Sequence, residues 1–181
     1  VSPRLRFDLV LNNLVAWAYA TGKVHIKSDG TPWRPVAHIE DISRAFIAAL
    51  EAPRELVHNQ AFNVGRSGEN YQVRDLARIV SEVVAGSSVE FARDASPDTR
   101  NYRVSFDKIA RVLRNYQPAW TARAGAEQLR DAYIAHGVTL AEFEGPRYQR
   151  IAHIKELINT GVLTRDLRRV GIPAEGVADA R

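Results

Sequence analysis

Two amino acids are missing altogether from this chain of 181 residues, which has no cysteine and no methionine. The lack of cysteine excludes disulfides, thiolate metal sites and a cysteine nucleophile. The lack of methionine leaves the chain opening on Val1-Ser2-Pro3, with no initiator and no leader; the expectation is a processed N-terminus or a piece of a longer chain. No apolar run reaches the ~20 residues of a membrane span, so a cytoplasmic protein with no membrane partner is expected. Clustered charge is missing too. Lys and Arg number 25 against 21 Asp and Glu, and no basic run exceeds Arg168-Arg169. That scatter speaks against nucleic acid, which needs a clustered basic face, and it fits a phosphate-bearing small ligand. The five histidines (His25, His38, His58, His136, His153) show no metal-site spacing, so no metal is expected. There is no Gly-x-Ser-x-Gly elbow for a serine hydrolase.

What is present reads as a globular chain, 45% hydrophobic and 25% charged. Apolar residues at helical spacing mark Leu5 to Thr21, stopped by Gly22. Val24-His25-Ile26-Lys27 alternates as a short strand. Ser28 to Pro32 is turn chemistry, and Trp33 to Ile39 is extended. A helix capped by Glu40 or Asp41 runs to about Ala52, with Ile42, Ala45, Phe46, Ala49 and Leu50 as its expected buried face. Ala61 to Val64 reads as a strand closed by Gly65. Val73 to Val84 is a second amphipathic helix, with Leu76, Ile79, Val80 and Val83 inward. Val89 to Phe91 alternates, Tyr102 to Val104 is extended, and Ser105 caps a helix through Leu113. Thr121 opens a helix ending near Gly137. Thr139 and Glu142 form a capping box, and a last helix runs from about Tyr148 to Asn159. Strands alternating with helices define an α/β chain that tends to α+β at its C-terminal end.

Two motifs invite a chemical reading and do not hold it. Tyr19 and Lys23 fit Tyr-x-x-x-Lys, a pair that does acid/base work only when an intact helix turn puts both side chains on one face. Gly22 sits between them at the expected helix end, so the match is read as coincidence. Gly65-Arg66-Ser67-Gly68 lacks the three-glycine spacing of a dinucleotide turn and is read as a plain strand-to-helix turn. The arginines are more informative. Arg34 sits where a turn enters a strand, and Arg100 and Arg103 follow the turn at Ser96-Pro97-Asp98. Guanidinium forks match phosphate oxygens in pairs, so two such arginines would suit a diphosphate.

The stretch Ser28 to Leu50, SDGTPWRPVAHIEDISRAFIAAL, resembles a segment of the NAD-dependent epimerase/dehydratase family of extended short-chain dehydrogenases. Arg34, His38, Asp41 and Ala45 fall in register with its G-x-x-x-R-D-[YFW]-[VIL]-H-V-x-D-[VIL]-A-x-A pattern. Asn63-Val64-Gly65 is similar to the family's N-[VIL]-G, and Tyr71 to Ala77 to its following helix start. Asp98 to Lys108 resembles its late D-x-R-x-Y-x-x-D-x-S-K region. Leu11-Asn12-Asn13-Leu14 resembles the stretch that contacts the nucleotide in the family's nucleotide-sugar epimerases. The resemblance covers about residues 1–135. It departs at Pro35, where the family often has Asp, and at the late phosphate arginine, for which Arg93, Arg100 and Arg103 are the candidates.

The resemblance implies the C-terminal, substrate-binding part of an extended Rossmann-type short-chain dehydrogenase, mixed α/β with short strands and a helical C-terminal extension. In the family the other half binds NAD(P) and carries the Tyr-x-x-x-Lys group. This chain is therefore expected to hold no catalytic residue, to bind no cofactor tightly and to be inactive alone. The parent would be an isomerase or lyase that oxidises a nucleotide-sugar transiently, and a homodimer would suit it. The implied substrate contacts are Asn13 and Leu14 for the nucleotide, partly through backbone, Arg34 for the phosphates, and Asp98 and Arg100 in the late loop. The expected organisation is 1–135 for substrate binding, 136–170 as the helical extension and 171–181 as a disordered tail. Two other readings stand beside this one: a standalone nucleotide-sugar binding module, and a structural α/β interaction domain in which Asn13, Arg34 and Arg100 do not converge. Faces left bare by a missing sheet, around Leu9, Leu14 and Trp17, would make the chain self-associate.

Overall fold

A computed structural model describes residues 5–96 and 100–171. The chain opens with helix α1 (Val10–Thr21), strand β1 (Lys23–Ser28), strand β2 (Trp33–Pro35), helix α2 (Ile39–Glu51) and the short α3 (Arg54–Val57). Strand β3 (Asn70–Gln72) runs directly into α4 (Val73–Val83), followed by β4 (Ser88–Ser96) and α5 (Asp107–Val112). The C-terminal part is helical: α6 (Ala122–His136), α7 (Leu140–Glu144), a 3-10 turn over Pro146–Tyr148 and α8 (Arg150–Asn159).

Two small sheets organise these elements. β1 and β4 pair in parallel, from Lys23 opposite Ser88 to Ile26 opposite Phe91. A parallel pair needs a long crossover, and everything from β2 to α4 supplies it. β2 and β3 pair antiparallel, with Arg34 opposite Tyr71. The architecture is thus the expected mixed α/β with short strands.

Periodicity explains the main core. Val73, Leu76, Ala77, Val80 and Val83 bury one face of α4, and Val24 and Ile26 bury one face of β1. These meet Leu14, Val15 and Ala18 of α1 and Ala126, Leu129 and Tyr133 of α6. A second, smaller core gathers Ala45 and Ala48 of α2 with Phe106, Ile109, Leu113 and Tyr116. Gly65 is required there by close approach, because a Cβ at that position would meet the Phe106 ring at 2.6 Å.

Helix ends follow their chemistry. Gly22 stops α1 in the left-handed region at φ 70°, its N–H donating to the Ala18 carbonyl. Thr121 caps α6 and Gly137 ends it at φ 59°. Thr139 and Glu142 form the expected capping box of α7.

Four expectations give way. α2 is capped by His38, whose Nδ1 accepts from the Glu40 N–H, and not by Glu40 or Asp41. Its inward face is built of the small residues Ala45 and Ala48 and the carboxylate of Asp41, while Phe46 is 67% exposed and Leu50 86%. The strand expected at Ala61 to Val64 has no strand partner among the described residues. Of the three residues expected bare, Leu9 is exposed, but Leu14 is buried and Trp17 partly covered. The cover is α7. Phe143 stands edge-on to Trp17 at 5.3 Å and to Phe7 at 5.1 Å, and Tyr148 meets Phe7 at 4.7 Å. The start of the helical extension therefore caps α1. α8 buries none of its residues. Residues 172–181, most of the expected disordered tail, lie outside the described residues.

Candidate functional site

Glu69, Val73, Arg100 and Tyr102 line one cleft of about 1030 Å³ together with four longer parts of the chain. These are the start of α1, the outer face of β1, the run from Arg34 to Ile39, and the start of α6 with the Trp120 that precedes it. Asn13, Leu14, Arg34 and Arg100 all line it. Residues far apart in sequence are thereby brought to one cavity, at the upper end of the size of small-molecule sites. Asp98, the fifth expected contact, and the side chain of Arg93 lie outside the described residues.

Local chemistry holds each wall. At the start of α1, the Asn12 carboxamide donates to the Arg6 carbonyl at 2.8 Å and that of Asn13 to the Phe7 carbonyl at 2.9 Å. The backbone N–H of Asn13 donates to the Leu9 carbonyl. Asn13 thus bonds back to the residues that lead into α1 through its backbone N–H and its carboxamide, and the Leu14 side chain belongs to the core. The N–H groups of Val10, Leu11 and Asn12 precede the first bonded one, as at every helix start, and no side chain caps them.

Arg34 straps the segment after residue 99 onto β2. Its Nη1 donates to the Trp33 carbonyl at 2.7 Å and to the Arg100 carbonyl, and its guanidinium lies 5.8 Å from the Tyr102 ring centre. The Trp33 N–H donates to Asn101 Oδ1 at 2.9 Å. Arg103 stacks over the Trp33 ring at 4.5 Å and is not among the residues lining the cleft.

Two buried carboxylates fix the far wall. Asp41 Oδ1 and Oδ2 accept the backbone N–H groups of Ala119 and Trp120, each at 3.0 Å, and Oδ1 pairs with Arg44 at 3.1 Å. Glu69 Oε2 accepts the Ala122 N–H at 2.7 Å and the Tyr71 hydroxyl at 3.2 Å. Burial, followed by the Glu69 charge, pushes the Tyr71 hydroxyl above its ordinary value. Between these anchors His38 stacks on Trp120 at 3.8 Å, and its Nε2 lies 2.9 Å from Gln128 Oε1. Since Nδ1 accepts from Glu40, Nε2 carries the proton in this arrangement. Trp120 Nε1 in turn donates to Glu40 Oε2 at 2.9 Å.

The sequence motif around His38 and Asp41 therefore builds a wall. The residues that sequence reasoning missed are His25 and Lys27 on β1, and Trp120 and Gln128 at α6. The alternation of β1 carried the signal for the first two, since it puts residues 25 and 27 on the face opposite Val24 and Ile26. Nothing local marks Trp120, whose place depends on Asp41, distant in sequence.

The catalytic-looking pair comes apart. Tyr19 packs near Tyr133 with ring centres 6.1 Å apart, and Lys23, beyond the end of α1, pairs with Glu90 at 2.8 Å. The turn at Gly65 to Gly68 leads into β3 and not into a helix, and the space beside Gly65 is filled by Phe106. No group of three metal-binding side chains occurs among the described residues, and no described helix is long and apolar enough to cross a membrane.

The parallel β1–β4 pair with its long crossover stands beside this cleft. Residues 4–65 match the model of the NAD dependent epimerase/dehydratase family. The fold is shared with the UDP-glucuronic acid 4-epimerase of Bacillus cereus, solved with UDP-glucuronic acid and NAD. That match has a TM-score of 0.61 at 22% identity and covers 76% of this chain and 43% of the other. It is shared also with the dTDP-glucose 4,6-dehydratase of Bacillus anthracis, solved with NAD. There the TM-score is 0.60 at 16% identity, covering 75% of this chain and 42% of the other. The chain spans less than half the length of either structure. A stretch of 92 residues is 33% identical to a PolC-type DNA polymerase III of Streptococcus pyogenes, covering 46% of this chain and 6% of that protein. So small a share of the polymerase bears on no function.

Proposed function

We propose that this chain is the substrate-binding half of an NAD-dependent nucleotide-sugar epimerase or dehydratase. The observation that carries the reading is the convergence of Asn13, Leu14, Arg34 and Arg100 on one cleft. A structural interaction domain would have no reason to gather them. The family match and the nucleotide-sugar enzymes among the structures sharing the fold point the same way. The working division is residues 1–135 for the substrate, with 136–170 as an extension whose first turns cover α1.

NAD, bound on the other half, supplies the hydride chemistry of such an enzyme. This chain's residues bind and orient. Arg34, which lines the cleft, brings a positive charge suited to a diphosphate, and the N–H groups at the start of α1 favour an anion nearby. Binding energy from the nucleotide then fixes the sugar carbon for reaction. Among the described residues neither the Gly65–Gly68 turn nor the Tyr19 and Lys23 pair has the geometry that the family's chemistry needs, and in this reading the chain alone turns nothing over.

Calorimetry on the chain with UDP, dTDP, GDP, CDP and ADP tests the reading. One of these binds, and Arg34→Ala weakens it by ~2 kcal/mol or more, the worth of a charge-assisted contact. Added NAD gives no heat and no turnover. If none of the five binds, the nucleotide-sugar reading is wrong; turnover by the chain alone would refute its dependence on another half. The closed core of α1, α4 and α6 favours a second reading, a binding module that folds by itself. A cooperative melt of the isolated chain is its expected signature.

A further inference from the structure

We infer that Glu69 is a specificity-determining residue of the cleft, whose Oε1 accepts a hydrogen bond from a hydroxyl on a ring esterified to the bound phosphate. The inference rests on the nucleotide-sugar reading above and adds a residue to it.

A carboxylate is costly to bury, and Glu69 is only 6% exposed. Holding the wall accounts for one of its oxygens. Oε2 takes the Ala122 N–H at 2.7 Å and the Tyr71 hydroxyl at 3.2 Å. Oε1 takes no bond from the described residues. It is not sealed either, since the only sealed polar side-chain atom without a partner among the described residues is Trp17 Nε1. The oxygen therefore reaches an opening, and the opening that Glu69 lines is the cleft.

The backbone sets where Glu69 stands relative to Arg34. β2 and β3 put Arg34 opposite Tyr71, and directly opposed residues share a face. The Val36 N–H donates to the Glu69 carbonyl at 3.0 Å, which carries the pairing one step past the ladder. Pleating returns side chains to the same face at every second residue, and the Tyr71 contact confirms that Glu69 is on that face. Glu69 thus follows Arg34 along one face of the ribbon. Two residues of strand span roughly 7 Å, comparable with the reach from a phosphorus atom to the outer hydroxyls of a ring that it esterifies.

Chemistry separates the two ends. The guanidinium of Arg34 suits phosphate. A carboxylate repels phosphate and, when ionised, offers acceptors only, so the group it takes is a neutral or positive donor. Hydroxyls are the donors that a sugar ring presents. Repulsion also disfavours a ligand bound the wrong way round, with phosphate against Glu69. A site built around a hydroxyl rejects the analogue that lacks it, because a buried polar group is then left unpaired. Ribose and the transferred sugar both supply such a hydroxyl, one on each side of the diphosphate.

The test is calorimetry on the 181-residue chain with inorganic pyrophosphate and the tightest of the five nucleoside diphosphates. The 2′,3′-dideoxy form of that nucleotide, its glucose ester and its methyl ester complete the set. In the parent chain one pair should differ. A diphosphate that outbinds its dideoxy form assigns the contact to ribose; a glucose ester that outbinds the methyl ester assigns it to the sugar. Glu69→Gln keeps the shape and an oxygen for the Ala122 N–H, and turns the atom facing the cleft into a donor. It is expected to weaken the hydroxylated member of that pair by roughly ten- to a hundredfold, as loss of a charge-assisted contact does, and to leave pyrophosphate no weaker. A difference that survives in Glu69→Gln overturns the inference and leaves the nucleotide-sugar reading standing. An equal loss for every ligand, pyrophosphate included, also overturns it, because Glu69 would then only hold the start of α6. The parent chain alone supplies a further refutation, needing no variant to fold: neither pair differs in affinity. A parent chain that binds no nucleotide of the set refutes the underlying reading, and this inference with it.

Discussion

Helices α1 and α2 have nearly the same length and similar apolar content, yet they sit in opposite situations. α1 is enclosed: β1, α4 and α6 bury one side of it, and Phe143 of α7 covers Trp17 on another. α2 touches the small second core with Ala45 and Ala48 and turns Ile39, Phe46, Ile47 and Leu50 outward. A soluble helix ordinarily hides its large apolar residues; α2 hides its small ones. The difference shows that an apolar stripe alone does not tell which face is inside. α1 has a neighbour within the described chain for each stripe, and α2 has one only for its narrow alanine face.

The largest expected effect breaks the enclosure of α1. Phe143→Ala removes a ring that touches both Phe7 and Trp17 and should cost about 3–4 kcal/mol in denaturant unfolding, the range for deleting a buried aromatic. A loss below ~1 kcal/mol would mean that α7 merely rests on α1. Asp41→Ala comes next, on the buried side of α2. It strands two backbone N–H groups, of Ala119 and Trp120, and leaves Arg44 only its looser contact with Glu40 at 3.9 Å. About 3 kcal/mol is expected from breaking such a buried arrangement. Because Asp41 positions Trp120, nucleotide affinity should fall as well, and calorimetry at a temperature where the variant is folded separates the two effects.

Much of the enclosed region was legible in the sequence. The period of α4, the stop at Gly22, the Thr121 cap and the Thr139–Glu142 box are local signals, and the structure repeats them. The inner face of α2 was not legible, since Phe46 and Leu50 satisfy the same 3.6-residue period as a buried stripe. Only the distant bonds from Asp41 to Ala119 and Trp120 decide which way the helix turns. The cleft divides in the same way. Arg34 and Arg100 came from motif register. Lys27 was implicit in an alternating strand, but which face of β1 would meet a cavity depends on where α1 and α6 pack. Trp120 carried no signal at all.

A titration sharpens the contrast between buried and open regions. Burial pushes the Tyr133 hydroxyl far above its ordinary value, followed by the nearby Tyr148. Burial also raises Tyr71 and Tyr116, more modestly placed at the edges of the two cores. A raised folded-state value means that stability is fully present below the unfolded tyrosine value of about 10 and is lost as pH rises beyond it. For Tyr133 the loss should approach ~1.4 kcal/mol per pH unit above that point. Tyr133→Phe should flatten this alkaline limb while costing little at neutral pH, because its hydroxyl makes only a 3.4 Å contact with the Asn12 carbonyl. An alkaline limb of unchanged slope in the variant would place the titration elsewhere.

The smallest effect belongs to the open face of α2, and its smallness is informative. Leu50 is 86% exposed, so Leu50→Ser removes almost no buried area, and unfolding of the dilute chain should change by no more than ~0.5 kcal/mol. Association is where the substitution should register. A bare stripe of Ile39, Phe46 and Leu50 favours contact between copies in proportion to its area. Sedimentation at rising concentration should therefore show the parent chain shifting to larger species and the Leu50→Ser chain shifting less. If the substitution instead destabilises the dilute monomer by more than ~1 kcal/mol, Leu50 is covered within the chain, and the contrast between the two helices disappears.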